Sequence, residues 1–290
     1  MPFSARTNYL PNTMRRSIFL AITCVAASLA FFLWHVPCPR AVVPCNPPDQ
    51  GRSTTLTIHF VWIRPFLRDA PDPKVHEVWQ LARTWANLTT PRAQLMVWTR
   101  AEIAAHFPDL VPLFERISTP AWISDIARYH IINTYGGLYL DTDVLPLRDP
   151  THLWRQLNGA FAVCENPYTD PRDAILSHLH ADAPCNSMIN AIIAAPKNHP
   201  ASFCAKHQSV ERTEDMLHRG ITRYNLVVTG PALWTECIRQ HPCTIRIIPS
   251  WTFLPCPCCE DGCRLEDYRN TLAFGMHYWS KSWVIKGFST

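Results

Sequence analysis

Two aspartates separated by one residue, Asp141 and Asp143, follow a short apolar strand predicted over residues 138–140. Side chains two positions apart on an extended backbone point to the same side, so both carboxylates can face one site at the end of the strand. Ligands of open α/β sheets bind at that edge. Hard divalent cations prefer oxygen ligands, and no basic residue separates the pair. The spacing therefore predicts a Mn²⁺ or Mg²⁺ site that keeps positions open for phosphate oxygens.

The segment before this strand predicts a helix over residues 122–135. Asp125 and Arg128 lie three apart and therefore share one face of that helix. Gly136 and Gly137 end it, because glycine accepts the left-handed backbone that a helix end requires. As a surface ion pair, Asp125 and Arg128 would contribute about 0.2–0.5 kcal/mol.

The other predicted elements alternate between strand and helix, which indicates an α/β fold with a doubly wound sheet that begins in parallel order. The predicted strands cover residues 55–63, 94–99, 160–164 and 245–248, and the predicted helices cover 75–88, 101–107 and 186–194, with a less defined helix around 216–217.

Four segments together resemble a known family. They are the S-D-x-x-R-Y, Y-G-G and Y-L-D-x-D run over residues 124–143, I-H-x-x-W over 58–62, T-G-P over 229–231 and the aromatic segment 277–283. The chain resembles the family 32 group of DXD-motif glycosyltransferases, which is related to α-1,4-galactosyltransferases, inositol phosphoceramide mannosyltransferases and toxin glucosyltransferases. The resemblance covers most of residues 55–285 and implies a GT-A, Rossmann-like mixed sheet.

The resemblance also implies roles around the donor. Asp125 would accept hydrogen bonds from sugar hydroxyls, and Arg128 would donate to the sugar or the diphosphate. Trp62 would stack on the nucleobase, although a tryptophan after a strand is equally expected in the core. Tyr139 has the same two interpretations, a contact with the donor or a place in the core.

The last segment would complete the site. His277 is a competent ligand for Mn²⁺, with a surface histidine in an aromatic turn as the alternative. Lys281 and Trp283 would bond the leaving diphosphate. Glu165 and Asp170 are both candidates for a catalytic nucleophile, and front-face attack would need neither.

The expected activity is therefore a retaining, metal-dependent transfer of a hexose from a nucleotide-diphosphate sugar, UDP-hexose or GDP-mannose, to a glycan or glycolipid hydroxyl. Two alternatives stay open. One is a sugar-binding protein without activity on the same fold. The other is a haloacid dehalogenase-type phosphatase, whose first motif is also an apolar strand with D-x-D, and for which Lys197 would have to supply the lysine.

The amino-terminal region predicts membrane anchoring. Residues 18–34 form an almost continuous apolar run that follows Arg15 and Arg16 and ends in bulky side chains. This pattern favours an uncleaved signal anchor over residues 17–36 rather than a cleaved signal peptide. By the positive-inside rule, residues 1–16 are a cytosolic tail, 37–53 a proline-rich stem and 54–290 a lumenal catalytic domain. We expect a single-pass protein of the Golgi or endoplasmic reticulum membrane.

Composition agrees with this topology. Eleven of the 12 cysteines follow the apolar run, which favours disulfides in an oxidising lumen. Cys256, Cys258, Cys259 and Cys263 are too compressed for the usual spacing of a zinc site. Asn87 begins the N-x-T sequon. The net charge of +4 is scattered, and nucleic acid is not an expected partner.

Overall fold

The computed structural model describes residues 55–63, 73–165, 185–256 and 264–278. They form a mixed α/β fold with a six-stranded central sheet and a separate two-stranded sheet. The strands are β1 Thr57–Val61, β2 Gln94–Trp98, β3 Gly137–Leu140, β4 Val144–Pro146, β5 Phe161–Cys164, β6 Met188–Ala195, β7 Arg246–Ile248 and β8 Gly275–His277. The helices are α1 Pro73–Leu88, α2 Arg100–His106, α3 Val111–Glu115, α4 Pro120–Tyr135, α5 Thr151–Gln156, α6 Pro200–His218, α7 Leu226–Thr229, α8 Pro231–Gln240 and α9 Leu265–Tyr268, with 3₁₀ turns at Pro108–Leu110 and Ser250–Thr252.

The central sheet has the order β2-β1-β3-β6-β5-β7. Strand β1 pairs in parallel with both β2 and β3, as the alternation of elements predicts. Strand β6 runs antiparallel to its neighbours β3 and β5, and β5 pairs in parallel with β7. The sheet is therefore mixed, with the carboxyl ends of β1 and β3 at one edge.

Helices cover both faces of this sheet, so the predicted mixed α/β fold with a central sheet is confirmed. Ile58 and Phe60 of β1 pack into an apolar cluster with Trp85 of α1. On the opposite face, Tyr139 of β3 belongs to a second cluster with Ile126 of α4. The helices predicted over 75–88, 101–107 and 122–135 are confirmed as α1, α2 and α4, and residues 216–217 lie within α6.

The helix predicted over residues 186–194 is wrong, because these residues contribute to strand β6. Every side chain of β6 is buried, since the strand lies between two others in the sheet and is covered on both faces. A strand in that position is apolar throughout and shows no alternation, so periodicity alone cannot distinguish it from a buried helix.

The glycine pair after α4 brings β3 close to β1. Gly136 has φ +67° and Gly137 has φ +110°, and a Cβ atom on Gly137 would lie 2.5 Å from the Thr57 carbonyl oxygen and 2.9 Å from Nε2 of His59. His59 Nε2 lies 2.8 Å from the Gly136 carbonyl oxygen, and the Trp98 indole donates to His59 Nδ1 over 3.1 Å. Burial lowers the pKa of His59 to about 4, so the neutral imidazole donates from Nε2 to Gly136.

Disulfides are confirmed in the described part of the chain. Cys164 pairs with Cys185 and Cys204 pairs with Cys237, and both Cys243 and Cys256 are disulfide-bonded. The rest of the compressed cysteine cluster, from Cys258 to Cys263, lies outside the described residues.

Within the described ranges, no helix has both the length and the apolar character to cross a bilayer. The predicted cytosolic tail, signal anchor and stem, residues 1–53, lie outside those ranges.

Candidate active site

A cleft of about 300 Å³ opens at the edge of the sheet where β1 and β3 end. Its walls come from the ends of these strands, the first turns of α4, the amino-terminal half of β6 and the segments around α7 and β8. Six of the predicted site residues line it: Trp62, Asp125, Arg128, Asp141, Asp143 and His277.

The aspartate pair and the predicted histidine meet in this cleft. Asp141 and Asp143 lie in the turn between β3 and β4. One possible ligand atom from each of these aspartates and one from His277 all lie within 4.8 Å of one another. His277 Nε2 is 3.1 Å from Asp143 Oδ1. Strand β8 carries His277 to this point, since His277 pairs with Val144 of β4. Two carboxylates and one imidazole at such distances can hold a divalent cation.

Two side chains hold the carboxylate of Asp141 in place. The Tyr139 hydroxyl donates to Asp141 Oδ1 over 2.5 Å, and a guanidinium nitrogen of Arg128 lies 3.3 Å from the same oxygen. Burial raises the pKa of Asp141, and the charge of Arg128 opposes that rise. Among the described residues, these contacts reach only Oδ1, so Oδ2 can turn toward a cation.

Tyr139 is a core residue that positions Asp141. Its side chain is completely buried and does not line the cleft. The guanidinium of Arg128 lies over its ring, 4.8 Å from the centroid. Burial raises the pKa of the Tyr139 phenol well above its ordinary value, so the hydroxyl stays protonated and remains a donor.

The interpretation of Asp125 and Arg128 as a surface ion pair is wrong. Their nitrogen and oxygen atoms lie 3.0 Å apart, but the residues are only 2% and 5% exposed. Burial raises the pKa of Asp125, and the charge of Arg128 opposes that rise. Burial alone would lower the pKa of Arg128, but the carboxylates of Asp141 and Asp125 outweigh it and hold that pKa above its ordinary value. Arg128 is a fixed positive charge at the base of the cleft.

Two further cleft residues had no place in the sequence-based hypothesis. Asn190 of β6 donates from its side-chain Nδ2 to Asp125 Oδ1 over 2.9 Å. Its backbone carbonyl oxygen accepts a hydrogen bond from the Arg128 guanidinium over 2.7 Å. The Tyr224 hydroxyl donates to Asp125 Oδ2 over 2.7 Å. The sequence did contain a signal for Asn190, which is a single amide inside an apolar run. A polar side chain buried in such a run requires hydrogen-bond partners and therefore indicates a polar site. Nothing in the local sequence marks Tyr224.

Glu165 also lines the cleft, immediately after β5. The Ser187 hydroxyl donates to its carboxylate over 2.6 Å, and its backbone N–H donates to the Ser187 carbonyl over 2.8 Å. The disulfide from Cys164 to Cys185 lies close to both residues in the chain, since Cys164 directly precedes Glu165 and Cys185 comes two positions before Ser187. The other nucleophile candidate, Asp170, lies outside the described residues, as do Lys281 and Trp283.

Trp62 directly follows β1 and lies between the apolar core and the cleft. The indole is half-buried, packs in part against the apolar cluster that contains Phe60, and also lines the cleft. Its backbone N–H donates to the Trp98 carbonyl over 2.9 Å, which continues the pairing of β1 with β2. An aromatic side chain therefore forms part of the wall of the cleft.

Comparison with known proteins gives one family match. Residues 76–159 match the model of the glycosyltransferase sugar-binding region containing a DXD motif. That range includes α4, β3 and the turn with Asp141 and Asp143. No curated protein matches the chain.

Several solved structures are similar at low sequence identity. The PaToxG glycosyltransferase is 17% identical, with a TM-score of 0.40 and coverage of 64% of this chain and 69% of that one. The UDP-bound glycosyltransferase domain from the YGT toxin is 10% identical, with a TM-score of 0.40 and coverage of 67% and 79%. An active-site mutant of LgtC is 13% identical, with a TM-score of 0.37 and coverage of 80% and 92%.

Proposed function

We propose that this chain, whose residues 76–159 match a glycosyltransferase sugar-binding region with a DXD motif, is a metal-dependent hexosyltransferase. It transfers a hexose from a nucleotide-diphosphate sugar to a hydroxyl of a glycan or glycolipid, with retention of configuration. The observation that carries this proposal is the convergence of Asp141, Asp143 and His277 in one cleft that also holds a buried arginine and an aromatic wall.

The chemistry of these three side chains fits Mn²⁺ or Mg²⁺, and two carboxylates and an imidazole leave positions for diphosphate oxygens. A bound cation supplies positive charge where the leaving diphosphate becomes more negative. Tyr139 and Arg128 keep Asp141 oriented by holding one of its oxygens. Arg128 adds a permanent positive charge whose position is set before the donor binds, which avoids reorganisation during the reaction.

Substitution of His277 tests whether β8 contributes a ligand to the proposed metal site. We expect His277→Ala to raise the Mn²⁺ concentration for half-maximal activity by about 10–100-fold, the range seen when the surroundings of a metal are disturbed. The measurement is a Mn²⁺ titration of donor hydrolysis. His152→Ala, an exposed histidine outside the cleft, is the matched control. Wild-type metal dependence in a folded His277→Ala protein would show that the imidazole is structural only.

Trp62 tests the placement of the nucleobase. We expect Trp62→Ala to weaken nucleotide binding by about 1–3 kcal/mol, the contribution of one base stacked on an aromatic ring. Calorimetry with UDP and with GDP measures this loss, and urea unfolding of the same variant measures stability. A loss of stability of about 3–5 kcal/mol with unchanged nucleotide affinity would assign the indole to the core alone.

The phosphatase alternative needs Lys197 beside the aspartates. Gly137 pairs with Ala195 in the antiparallel ladder of β3 and β6, so Lys197 follows β6 at the end of β3 that is remote from Asp141. Its backbone nitrogen approaches Gly136, and Lys197 does not line the cleft. The arrangement therefore gives that alternative no support.

A screen of donors tests the proposed function. The full-length chain is incubated with Mn²⁺ and the common UDP-hexoses, UDP-N-acetylhexosamines and GDP-hexoses, and release of the nucleotide is measured with and without EDTA. We expect hydrolysis of at least one donor, loss of that activity in EDTA and its return with Mn²⁺. Binding of a donor without hydrolysis or transfer under any condition would indicate instead a sugar-binding protein without activity.

The proposed location is the lumenal side of the Golgi or endoplasmic reticulum membrane, with the chain anchored by residues 17–36. The disulfides of Cys164 and Cys204 support an oxidising compartment. Asn87 is exposed and would be accessible to glycosylation there. Release of the full-length chain from membranes by alkaline extraction, without a mobility shift after endoglycosidase treatment, would contradict this location.

A further inference from the structure

The carboxylate of Asp125 already holds as many hydrogen bonds as it can accept. Oδ1 lies 2.9 Å from Asn190 Nδ2 and 3.0 Å from a guanidinium nitrogen of Arg128. Oδ2 accepts from the hydroxyls of Tyr224 and Thr229, over 2.7 and 3.1 Å. A carboxylate offers about four lone-pair positions, so a sugar hydroxyl cannot join this set without displacing a protein group.

The two donors to Oδ2 differ in their position. Thr229 is completely buried and does not line the cleft. Tyr224 is half-buried, precedes α7 and forms part of the cleft wall. Burial and the nearby carboxylate raise the pKa of Tyr224, which therefore donates a proton in this contact throughout the physiological range. Of the two donors to Oδ2, Tyr224 is thus the one that borders the space available to a ligand.

We propose that Tyr224 determines which hexose epimer the donor site accepts, because its hydroxyl occupies the position on Asp125 that a ring hydroxyl of the sugar would otherwise take. The inference rests on the proposed function and names its substrate class as a nucleotide hexose selected by the configuration of one ring hydroxyl.

The chemistry of a phenol explains how this selection works. While the Tyr224 hydroxyl donates to Asp125, its oxygen still has lone pairs that accept a hydrogen bond from the sugar. The acceptor offered to the donor sugar is then the phenol oxygen, which lies 2.7 Å from the Oδ2 atom of Asp125 to which it donates. A hydroxyl of one configuration reaches that oxygen, and its epimer leaves it unpaired, which a buried polar site penalises.

The substitution Tyr224→Phe removes only the hydroxyl and gives Oδ2 back to the cleft. The full-length protein with Mn²⁺ is assayed for hydrolysis of three pairs of epimers: UDP-glucose and UDP-galactose, UDP-N-acetylglucosamine and UDP-N-acetylgalactosamine, and GDP-mannose and GDP-glucose. For the pair that the wild type hydrolyses, we expect the ratio of kcat/KM between epimers to shift by about fivefold to tenfold toward the disfavoured one, the size of one hydrogen bond.

Tyr135→Phe is the matched control, because it removes a tyrosine hydroxyl that contacts His106, outside the cleft. It should leave all ratios within about twofold, since a lost hydrogen bond outside the cleft acts on stability alone. A shift of less than about fivefold in every pair, for a folded Tyr224→Phe protein, overturns the assignment because a structural tyrosine would affect both epimers equally.

Tyr224→Leu serves the same comparison if Tyr224→Phe cannot be isolated in folded form. If the proposed function is wrong, the wild type will hydrolyse none of the six donors. The inference about Tyr224 then fails as well. Hydrolysis by the wild type with unaltered ratios in the variants rejects the role of Tyr224 alone.

Discussion

Replacing Asp141 or Asp143 by Asn is expected to reduce glycosyl transfer by about a thousandfold or more. A metal stabilises charge in the transition state by several kcal/mol, and each 1.36 kcal/mol corresponds to a tenfold change in rate. An amide is neutral and a much poorer ligand than a carboxylate, so the loss of either side chain removes most of this effect. Rates are measured with saturating donor over a range of Mn²⁺ concentrations.

The folded state should respond differently to the two changes. Asp143→Asn should lower the free energy of unfolding by no more than about 0.5–1.5 kcal/mol, the contribution of one hydrogen bond, because Asp143 contacts His277 Nε2 over 3.1 Å. Asp141→Asn should cost about 1–3 kcal/mol, because Arg128 and Tyr139 lose a charged partner. Asp109→Asn, on an exposed turn, is the control for both. Full activity of both variants in the presence of EDTA would exclude a metal-dependent reaction.

Asp125→Ala is expected to cost about 3–5 kcal/mol of stability, the range found when one partner of a buried ion pair is removed. The change leaves the hydroxyls of Tyr224 and Thr229 and the amide of Asn190 without their acceptor. The midpoint of urea unfolding measures this loss, provided that the slope of the transition is unchanged.

The exposed ion pair of Asp215 and Arg219 provides the matched control. A guanidinium nitrogen of Arg219 also lies 3.0 Å from Asp215 Oδ2 on the same helix, but the side chain of Asp215 is 55% exposed. Asp215→Ala should therefore cost less than about 1 kcal/mol. Equal losses at the two positions would contradict the buried network around Asp125, since burial is the difference between them.

The sequence predicted which side chains meet in the cleft better than it predicted how deeply they are buried. The spacing of Asp141 and Asp143 after an apolar strand was sufficient to predict that both carboxylates face one site, because alternation along a strand is a local property. The presence of His277 beside them followed only from the resemblance of the tail segment to a family, since no local pattern specifies a contact across 134 residues of chain.

Burial was the quantity that the local patterns did not predict. The i,i+3 spacing of Asp125 and Arg128 is the same in an exposed pair and in a buried one, and only the packing of β6 and α7 against α4 makes the difference. Asn190 was hidden by the same problem, because the strand that carries it has no alternation from which its direction could be inferred. Tyr224 comes from a connection whose path depends on the whole fold.

The pairing of β4 with β8 has a consequence for the order in which the protein becomes functional. Asp141 and Asp143 emerge from the ribosome long before His277, and the two strands can pair only when residues 275–277 have been made. Contacts between such distant segments form late, because the loop between them must close first. At the proposed metal site, a nascent chain would thus hold an incomplete set of ligands until β8 had docked against β4. Premature binding of nucleotide sugars during synthesis would be weak for the same reason.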